Sequence, residues 1–271
     1  MKTATYLIDN ENNERKLFSI IEIVRKFMIY ITGDTHGNQY KWVEQIEPVL
    51  SPADIILVCG DFGVGFWNGR YWSEETFYDF LSEQKYIVLF IDGNHEDFDK
   101  LDSYPVETWC GGKVHKIRNN VIHLMRGEVY CIEDNTIFVM GGGYSIDKYR
   151  RTEGISWWPQ EMPTDEEYHN ALVNLGKVGN HVDYIITHTA PSETVYYLST
   201  LRSLGIKNDV IQEQPLTSFL DEIQRKVTYK HWYFGHFHVD MELWRSQTAV
   251  LSCVRELETG KIVRQWDSYE G

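Results

Sequence analysis

The chain has 271 residues, a net charge of −14 at pH 7 and a pI near 5.1. Hydrophobic residues make up 42% and charged residues 24%, as in ordinary globular proteins, so extended disorder is excluded. The acidic balance opposes indiscriminate binding to duplex DNA or to an anionic membrane, because a phosphate surface is normally met by a basic face. The length fits one large α/β domain.

The cysteines are scattered along the chain without the Cys-x-x-Cys spacing of a metal site. Buried free thiols and a reducing cytoplasm are therefore expected, in keeping with the lack of a recognisable signal peptide. The apolar run 17–31 contains Glu22, Arg25 and Lys26, so it is too short and too charged to serve as a membrane anchor. The four cysteines are Cys59, Cys110, Cys131 and Cys253.

The beginning of the chain differs from the rest, because it is polar as far as Lys16 and then helix-like. Met28 opens the first convincing strand. We expect residues 1–27 to form an N-terminal extension and residues 28–271 to form the main domain. Within that domain, no repeat or low-complexity tract is evident in the sequence.

Three apolar runs near the start of this domain each end in glycine and polar residues, and helix-like spacing over 40–50 and 73–84 separates them. Such units predict a largely parallel sheet with polar residues gathered at the carboxyl ends of its strands. An aspartate and a histidine two positions apart can aim a carboxylate and an imidazole at one point, as a metal site requires. The three strand ends are Gly33-Asp34-Thr35-His36, Gly60-Asp61 and Gly93-Asn94-His95-Glu96.

Shorter strand-like pieces follow, and they predict an antiparallel second sheet that the last strands of the chain, near 243–244, 249–251 and 262–263, would close. An aromatic and basic insertion over 144–163 interrupts the series before a helix that starts after Thr164. Two further apolar runs end in Thr187-His188 and Gly235-His236-Phe237-His238, with a helical stretch over 216–225 between them. The shorter pieces are 121–124, 129–132 and 136–140.

Taken in order, the five strand ends between residues 33 and 238 resemble the signature of the calcineurin-like metallophosphoesterase superfamily. The resemblance implies an α/β fold in which two mixed β-sheets pack as a sandwich flanked by helices. It also implies a site for two divalent metal ions on the loops at the strand ends. One ion would be held by Asp34, His36 and His238, the other by Asn94, His188 and His236, with Asp61 bridging both; His236 and His238 are interchangeable at this level.

The same resemblance implies that His95 donates a proton to the leaving oxygen. Mixed nitrogen and oxygen ligands suit Mn, Fe or Zn, with Mn preferred here, whereas an all-oxygen set favours Mg or Ca. Two such ions, roughly 3.5–4 Å apart, can hold a bridging hydroxide that attacks a phosphate placed between them. Four acidic neighbours are candidates to tune the His95 imidazole, namely Asp92, Glu96, Asp97 and Asp99.

The insertion also contains candidates for contact with the substrate. In the insertion, Arg150, Arg151 and Trp157 are candidates to contact substrate, although solvated arginines and a packing tryptophan are the commoner outcome. The remaining histidines match no block and are expected to be structural or superficial; they are His115, His123, His169, His181 and His231.

The second block separates the chain from protein phosphatases of the superfamily, which continue it as Gly-Asp-x-x-Asp-Arg-Gly. Here it reads Gly60-Asp61-Phe62-Gly63-Val64, so the arginine that would clamp a phosphoprotein is missing. We expect a phosphodiesterase or nucleotide phosphatase acting on a phosphorylated small molecule or nucleotide. The alternatives are a nuclease for single-stranded nucleic acid, a protein phosphatase and, last, a scaffold without activity.

Overall fold

The structure, a computed structural model, describes residues 27–66, 72–201 and 212–267. All but the last residue of the predicted N-terminal extension, residues 1–26, therefore lies outside the described residues. The strands are β1 Ile29–Thr32, β2 Ile55–Val58, β3 Ile87–Phe90, β4 Val106–Trp109, β5 Gly112–Arg118, β6 Val121–Leu124, β7 Val129–Ile132, β8 Asn135–Met140, β9 Tyr184–Thr187, β10 His231–Phe234, β11 Met241–Leu243, β12 Gln247–Ala249, β13 Cys253–Glu256 and β14 Ile262–Gln265.

Two mixed sheets form the centre of the fold, as the sequence predicted. The first has the order β14-β13-β1-β2-β3-β6-β5-β4, and its four central strands from β1 to β6 run parallel. The second has the order β11-β12-β10-β9-β8-β7, with β8, β9, β10 and β12 parallel. The carboxyl ends of the parallel strands therefore carry loops from both sheets.

Two expectations about sheet membership were wrong. Strand β6 was assigned to the second sheet but pairs with β3 in the first, and β14 also belongs to the first sheet, where it pairs with β13. The second sheet is mixed, not antiparallel, since only β7 and β11 at its edges run against their neighbours. An apolar run indicates a strand but does not indicate its partner.

Helices cover the outer faces of the sheets. Residues 40–50, predicted as one helix, form a short α-helix, α1 (Gln39–Lys41), that continues as a π turn, Trp42–Ile46, and a 3₁₀ turn, Glu47–Val49. Thr164 and Glu167 form a reciprocal capping box at the start of α4 (Asp165–Lys177), which matches the predicted helix start. The α-helices are α1 Gln39–Lys41, α2 Glu74–Ser82, α3 Phe98–Asp102, α4 Asp165–Lys177, α5 Ser192–Thr200 and α6 Gln214–Lys226.

The core lies in three layers between and outside the sheets. Ile31 and Leu57 of the first sheet face Val139 and Ile186 of the second in a fully buried cluster. The opposite face of the first sheet packs under Trp42 and α2, and the opposite face of the second packs under α4 and α6. Because every residue of β1, β2 and β9 is buried, these strands lack polar alternation and read as continuous apolar runs.

The four cysteines are free thiols. Cys59 and Cys253 are buried as expected, but Cys110 is half-buried and Cys131 is exposed, which corrects the expectation that all four are buried. Within the described ranges, no helix combines the length and the apolar composition needed to cross a membrane.

Candidate metal centre

The five strand-end loops meet at one place. They follow β1, β2 and β3 in the first sheet and β9 and β10 in the second, so both sheets contribute polar side chains to the same edge. A parallel arrangement puts the carboxyl ends of neighbouring strands side by side, which explains why residues far apart in sequence converge here.

One group consists of Asp34, His36 and His238, whose potential ligand atoms all lie within 4.8 Å of one another. Nε2 of His36 lies 3.1 Å from Nε2 of His238, and these nitrogens lie 3.8 and 3.4 Å from Oδ2 of Asp34. Asp34 is buried, whereas the side chains of His36 and His238 are 34% and 49% exposed. The group is therefore open to solvent on its histidine side.

His188 lies at the floor of the site and is fully buried. Its Nδ1 donates to the carbonyl of Cys59 (2.9 Å), so Nε2 faces Oδ1 of Asn94 (3.1 Å) and Oδ1 of Asp61 (3.4 Å). The amide of Asn94 is oriented by Nδ2, which donates to Oγ of Ser145 (3.1 Å). Three potential ligand atoms therefore converge on one point.

His236 has a carboxylate partner that the sequence did not indicate. Its backbone N–H donates to the carboxylate of Asp34, and its ring stacks edge-on against His188 with centroids 4.8 Å apart. Its Nε2, however, lies 3.3 Å from Oε1 of Glu213, a buried carboxylate just before α6. A carboxylate on one imidazole nitrogen fixes the ring orientation and leaves the other nitrogen for a metal.

His95 lies beside the first group, because a ring nitrogen of His95 comes within 4.8 Å of potential ligand atoms of both His36 and Asp61. Its backbone N–H donates to Oδ1 of Asp61 (2.8 Å). The ring also packs edge-on against His36 and Phe66. Its Nδ1 lies 3.2 Å from Nη1 of Arg151, which belongs to the insertion.

The backbone of the site is conformationally unusual. His36, Asp61, His236 and His238 all have positive φ, between 50° and 66°, which non-glycine residues seldom adopt. Backbone bonds hold the first two in place, since the N–H of His36 donates to the carbonyl of Asp61 (2.8 Å). Positive φ also occurs in turns elsewhere in the described residues, but here it falls on four predicted ligands, where it helps to set the direction of their side chains.

Glycines in the blocks allow the ligand loops to approach each other. A Cβ on Gly93 would lie 2.0 Å from Oδ1 of Asp61 and 2.7 Å from Nε2 of His188. A Cβ on Gly60 would lie 2.2 Å from Nδ1 of His188, and Gly60 also has a φ of +89°. Any side chain at either position would push apart the atoms that converge.

The site holds opposite charges in close contact. Burial alone would raise the pKa of Asp34, but the hydrogen bond from His238 and the charge of His188 lower it to about 2. The pKa of Asp61 is likewise held well below its usual range, because the neighbouring histidines outweigh its burial. Burial lowers the pKa of His188, yet the Asp61 carboxylate outweighs it and raises the pKa to about 10.

These shifts fit a place for divalent cations. The buried carboxylates of Asp34 and Asp61 raise the pKa of His188, so their negative charge favours a positive charge at Nε2, the nitrogen that faces Asp61 and Asn94. A cation at that nitrogen would balance the same charge, and the mixed oxygen and nitrogen donors are those that Mn, Fe and Zn accept. The residues present therefore fit a pair of divalent cations. Asp34, His36 and His238 lie on one side of Asp61, and Asn94 and His188 lie on the other.

Among the described contacts, the four acidic neighbours of His95 bind groups other than its ring. Asp92 binds His123 and Arg126, Glu96 accepts from backbone N–H groups, Asp97 caps α3 and Asp99 accepts from Trp158. Arg151 occupies the place that a carboxylate was expected to fill.

The other two candidates for substrate contact pack against residues of the insertion itself. Arg150 is exposed and lies over Tyr149, and Trp157 is half-buried with the ammonium of Lys148 5.2 Å from its ring centre. Their contact with substrate remains a prediction. His115 and His123, assigned no role, are buried and hydrogen-bonded to each other.

Sequence reasoning missed Glu213 and Ser145, each of which contacts a predicted ligand. Neither belongs to a block. Pro215 indicates a helix start, because proline is favoured in the first turn, and this is the only signal that could have drawn attention to Glu213.

Comparison with known proteins decides the family. The model of the calcineurin-like phosphoesterase family matches residues 27–240. The chain belongs to this family. Membership confirms the enzyme class that the five blocks indicated, a metal-dependent phosphoric ester hydrolase, and accounts for the two mixed sheets. Calcineurin-like phosphoesterases use divalent metals, in agreement with the groups of potential ligands described above.

Among curated members of the calcineurin-like phosphoesterases, the chain is similar to lariat debranching enzymes. It is 24% identical to that of Homo sapiens over 238 residues and 22% identical to lariat debranching enzyme A of Xenopus laevis over 235 residues, with 78% of this chain and 42% of each relative covered. It is 21% identical to the lariat debranching enzyme of Schizosaccharomyces pombe over 256 residues, with 86% of this chain and 51% of the relative covered. The chain thus spans about half or less of the length of these relatives.

Proposed function

We propose that the chain is a two-metal phosphodiesterase that also accepts nucleotides or other phosphomonoesters. The observation that carries the proposal is the convergence of Asp34, His36 and His238 with Asp61 at the ends of strands from both sheets. Asn94 and His188 complete the set on the buried side. Manganese is the proposed ion, since the ligands mix carboxylate, amide and imidazole.

Two divalent ions, when bound, supply an activated water and neutralise the charge of the phosphate. The chain supplies the rest. Asp61 lies 3.6 Å from Nδ1 of His36 and 3.4 Å from Nε2 of His188, so its carboxylate would be shared by the two ions. His188 is held by its hydrogen bond to the carbonyl of Cys59, and Asn94 by its hydrogen bond to Ser145. The buried side of the site is therefore already oriented for an ion.

His95 is proposed to donate a proton to the leaving oxygen. It is part-buried at the edge of the site, is held through its backbone by Asp61, and points its ring among those of His36 and Phe66. His236, oriented by Glu213, is proposed to hold the ion on the buried side, and His238 the ion on the open side.

The substrate is proposed to be a small phosphodiester or a nucleotide. The relatives are named for debranching of lariats, which makes a lariat or other single-stranded nucleic acid the second candidate. The acidic chain and the short length matched in those relatives favour the smaller substrate. The insertion offers Arg150 and Trp157 as contacts for it.

A panel of substrates tests the proposal. With Mn²⁺, purified protein is expected to hydrolyse bis-p-nitrophenyl phosphate faster than p-nitrophenyl phosphate, and the panel includes cyclic nucleotides and dinucleotide polyphosphates. Activity should vanish with a chelator and in Asp61→Ala. Turnover of only single-stranded DNA or a lariat oligonucleotide would favour the nuclease. Turnover of only a phosphoprotein would favour the protein phosphatase. If none of these substrates were hydrolysed, the scaffold without activity would be favoured.

The limits of the domain and its location belong to the same proposal. The backbone of Met28 already binds Asp54 and Ile55, which supports a domain of residues 28–271 with 1–27 as an extension. A protein that begins at Met28 should then stay folded and bind Mn²⁺, and aggregation would contradict it. The free thiols support a cytoplasmic location.

A further inference from the structure

The insertion passes directly over the buried side of the metal centre. A Cβ on Gly143 would lie 3.2 Å from Oδ1 of Asn94 and 3.4 Å from Cε1 of His236. The backbone N–H of the next residue, Tyr144, donates to Oε1 of Glu213 (3.4 Å), the carboxylate that orients His236. The side chains that follow Gly143 in the insertion therefore begin at the edge of the site.

Arg151 reaches the same centre from the loop side. Its Nη1 lies 3.2 Å from Nδ1 of His95. Its Nε donates to Oδ1 of Asp147 (2.7 Å), and Nη1 also donates to the carbonyl of Ser156 (3.1 Å). In the described part of the chain, Nη2 has no hydrogen-bond partner. The guanidinium is thus held in one orientation with donors to spare.

A second cation of the insertion, Lys148, is held by aromatic rings. Its Nζ lies 4.3 Å from the centre of the Tyr144 ring and 5.2 Å from that of the Trp157 ring. Among the described residues, Lys148 forms no ion pair with an aspartate or a glutamate. Aromatic faces attract an ammonium group but do not neutralise its charge. Lys148 is therefore a positioned cation whose charge can serve a ligand.

The backbone puts the two cations on the same side of one turn. Lys148–Arg150 is a 3₁₀ turn, and the backbone N–H of Arg151 donates to the carbonyl of Lys148 (3.0 Å). A 3₁₀ helix has three residues per turn, so residues three positions apart lie one above the other. Lys148 and Arg151 therefore begin on one side, whereas Arg150 lies over the exposed Tyr149.

Nearby carboxylates leave this pair of cations positive. Asp147 offsets the charge of Arg151 through its ion pair. Glu161 lies near both cations, but burial raises its pKa, and its Oε1 accepts from the backbone N–H of Ser145 (3.1 Å). The charge of Lys148 thus remains in a chain whose net charge is −14. An uncompensated cation beside a metal centre suits an anion that extends beyond the ions.

We propose that Lys148 and Arg151 form a subsite for a second phosphate group, which the substrate carries in addition to the phosphate that is hydrolysed. The inference rests on the proposed function and narrows its substrate to phosphoesters with at least two phosphate groups. The reacting phosphate would bind at the ions, and the second would accept charge-assisted hydrogen bonds from the ammonium and the guanidinium. Its source is either a phosphate joined directly to the reacting one, as in a small nucleotide, or the next phosphate of a nucleic-acid strand.

Calorimetric titration with two phosphonates tests the subsite without turnover. Methylphosphonate carries one phosphonate group and methylenediphosphonate carries two, and neither has an ester bond to hydrolyse. In the Mn²⁺-loaded protein we expect the diphosphonate to bind more tightly. Lys148→Gln should lower the ratio of the two affinities by roughly 10-fold, as the loss of one hydrogen bond to a charged group does. An unchanged ratio in Lys148→Gln would overturn the inference.

Further variants separate charge from shape. Lys148→Arg keeps a cation and should keep most of the ratio, whereas Arg151→Gln should lower it. The matched controls are Lys177→Gln on α4 and Arg225→Gln on α6, both at exposed positions, and they should match the unaltered protein. An equal fall of the ratio in Lys177→Gln would assign the effect to the general charge of the protein and contradict the subsite.

Two pairs of substrates test the consequence and identify the source of the second phosphate. Diadenosine diphosphate has a phosphate joined to the reacting one, and the dinucleoside monophosphate ApA lacks it. The second pair is p-nitrophenyl thymidine 5′-phosphate with and without a 3′-phosphate, which stands for a strand. Lys148→Gln should lower the preference in kcat/KM for the second phosphate by roughly 10-fold. A fall in the first pair supports a small nucleotide and a fall in the second pair a strand, whereas no fall in either contradicts the inference.

The two arms separate the two failures. If the unaltered protein hydrolyses none of these esters but Lys148→Gln lowers the ratio of phosphonate affinities, the proposed function fails and the subsite stands. If the esters are hydrolysed but the ratio and the preference are the same in Lys148→Gln, only the subsite fails.

Discussion

The Nε2 atoms of His36 and His238 lie 3.1 Å apart, although 202 residues separate the two histidines in the chain. Both face the same oxygen of Asp34. Two imidazoles and one carboxylate gathered in this way are predicted to share a metal ion, and the distance between the imidazoles is set by strands of two different sheets.

Replacement of either histidine should remove one ligand. We expect His36→Ala and His238→Ala each to lower Mn²⁺ affinity and phosphodiesterase activity by roughly 100-fold or more, since loss of a group that merely orients a ligand already costs 10- to 100-fold. Calorimetric titration with Mn²⁺ measures the affinity. His169→Ala, at an exposed position on α4, is the control and should match the unaltered protein. Full affinity in His36→Ala would remove this residue from the site.

Removal of the metal should destabilise the fold. An ion at 100 times its dissociation constant stabilises the folded state by about 2.7 kcal/mol. For a chain of this size, we expect a fall in Tm of about 5–10 °C after chelation. Differential scanning calorimetry with and without Mn²⁺ measures it, and the difference should shrink in His238→Ala. An unchanged Tm in the unaltered protein would show that no ion binds at the conditions used.

Glu213 should affect metal binding without being a predicted ligand. Its Oε1 lies 3.3 Å from Nε2 of His236. We expect Glu213→Gln to lower Mn²⁺ affinity by about 10- to 100-fold, because the amide orients the ring less well than the carboxylate. Glu193→Gln, at an exposed carboxylate on α5, is the matched control. Equal affinities in the two variants would contradict an orienting role.

A methyl group at Gly93 should disrupt the site, while one at Gly176 should not. Gly93→Ala puts a Cβ 2.0 Å from Oδ1 of Asp61, so we expect loss of Mn²⁺ binding and of stability. Nothing lies within 4 Å of the corresponding position in Gly176, inside α4, so Gly176→Ala should stabilise the protein by about 0.5–1 kcal/mol. Urea unfolding and metal titration of both variants check this. Unimpaired metal binding in Gly93→Ala would contradict the crowding.

The buried ion pair of Arg126 and Asp92 is expected to contribute to stability. Nε of Arg126 donates to the buried carboxylate of Asp92 (2.7 Å), which also contacts His123. We expect Arg126→Met to cost about 3–5 kcal/mol at pH 7, because it leaves that carboxylate buried without its cation. Arg118→Met, which removes ion pairs with the exposed Glu75 and Asp79, should cost less than about 1 kcal/mol.

The destabilisation caused by Arg126→Met should be smaller at low pH than at pH 7. Burial alone would raise the pKa of Asp92, but the charge of Arg126 holds it well below the usual 3.8. The pair therefore stabilises the fold above about pH 4, and this contribution is lost only as the pH falls toward the lowered pKa. In Arg126→Met the carboxyl protonates more easily, so the deficit should shrink between pH 7 and pH 4. Unfolding by urea at both values measures it, and a constant deficit would contradict the pairing.

The sequence predicted the floor of the site well, for a physical reason. Strands β1, β2 and β9 are buried on both faces, so they appear as unbroken apolar runs, and the glycine or histidine that ends each run marks the loop. The glycines also have to be there, as the crowding around Gly93 shows.

The contacts across the chain could not be predicted in the same way. Nothing local to Arg151 or Glu213 signals that they touch His95 or His236, because those contacts depend on how the insertion and α6 pack. The same limit explains the misplaced β6 and β14. Their apolar patterns are compatible with either sheet, and only the three-dimensional order of strands selects one.

The position of β13 has a consequence for the order in which the molecule is made. Strand β1 pairs with β2 on one side and with β13 on the other, yet β13 is synthesised more than 200 residues after β1. Until Cys253–Glu256 leaves the ribosome, β1 has an open edge in the nascent chain, with unpaired backbone groups. A chain cut short before β13 should therefore be prone to aggregate rather than be merely inactive.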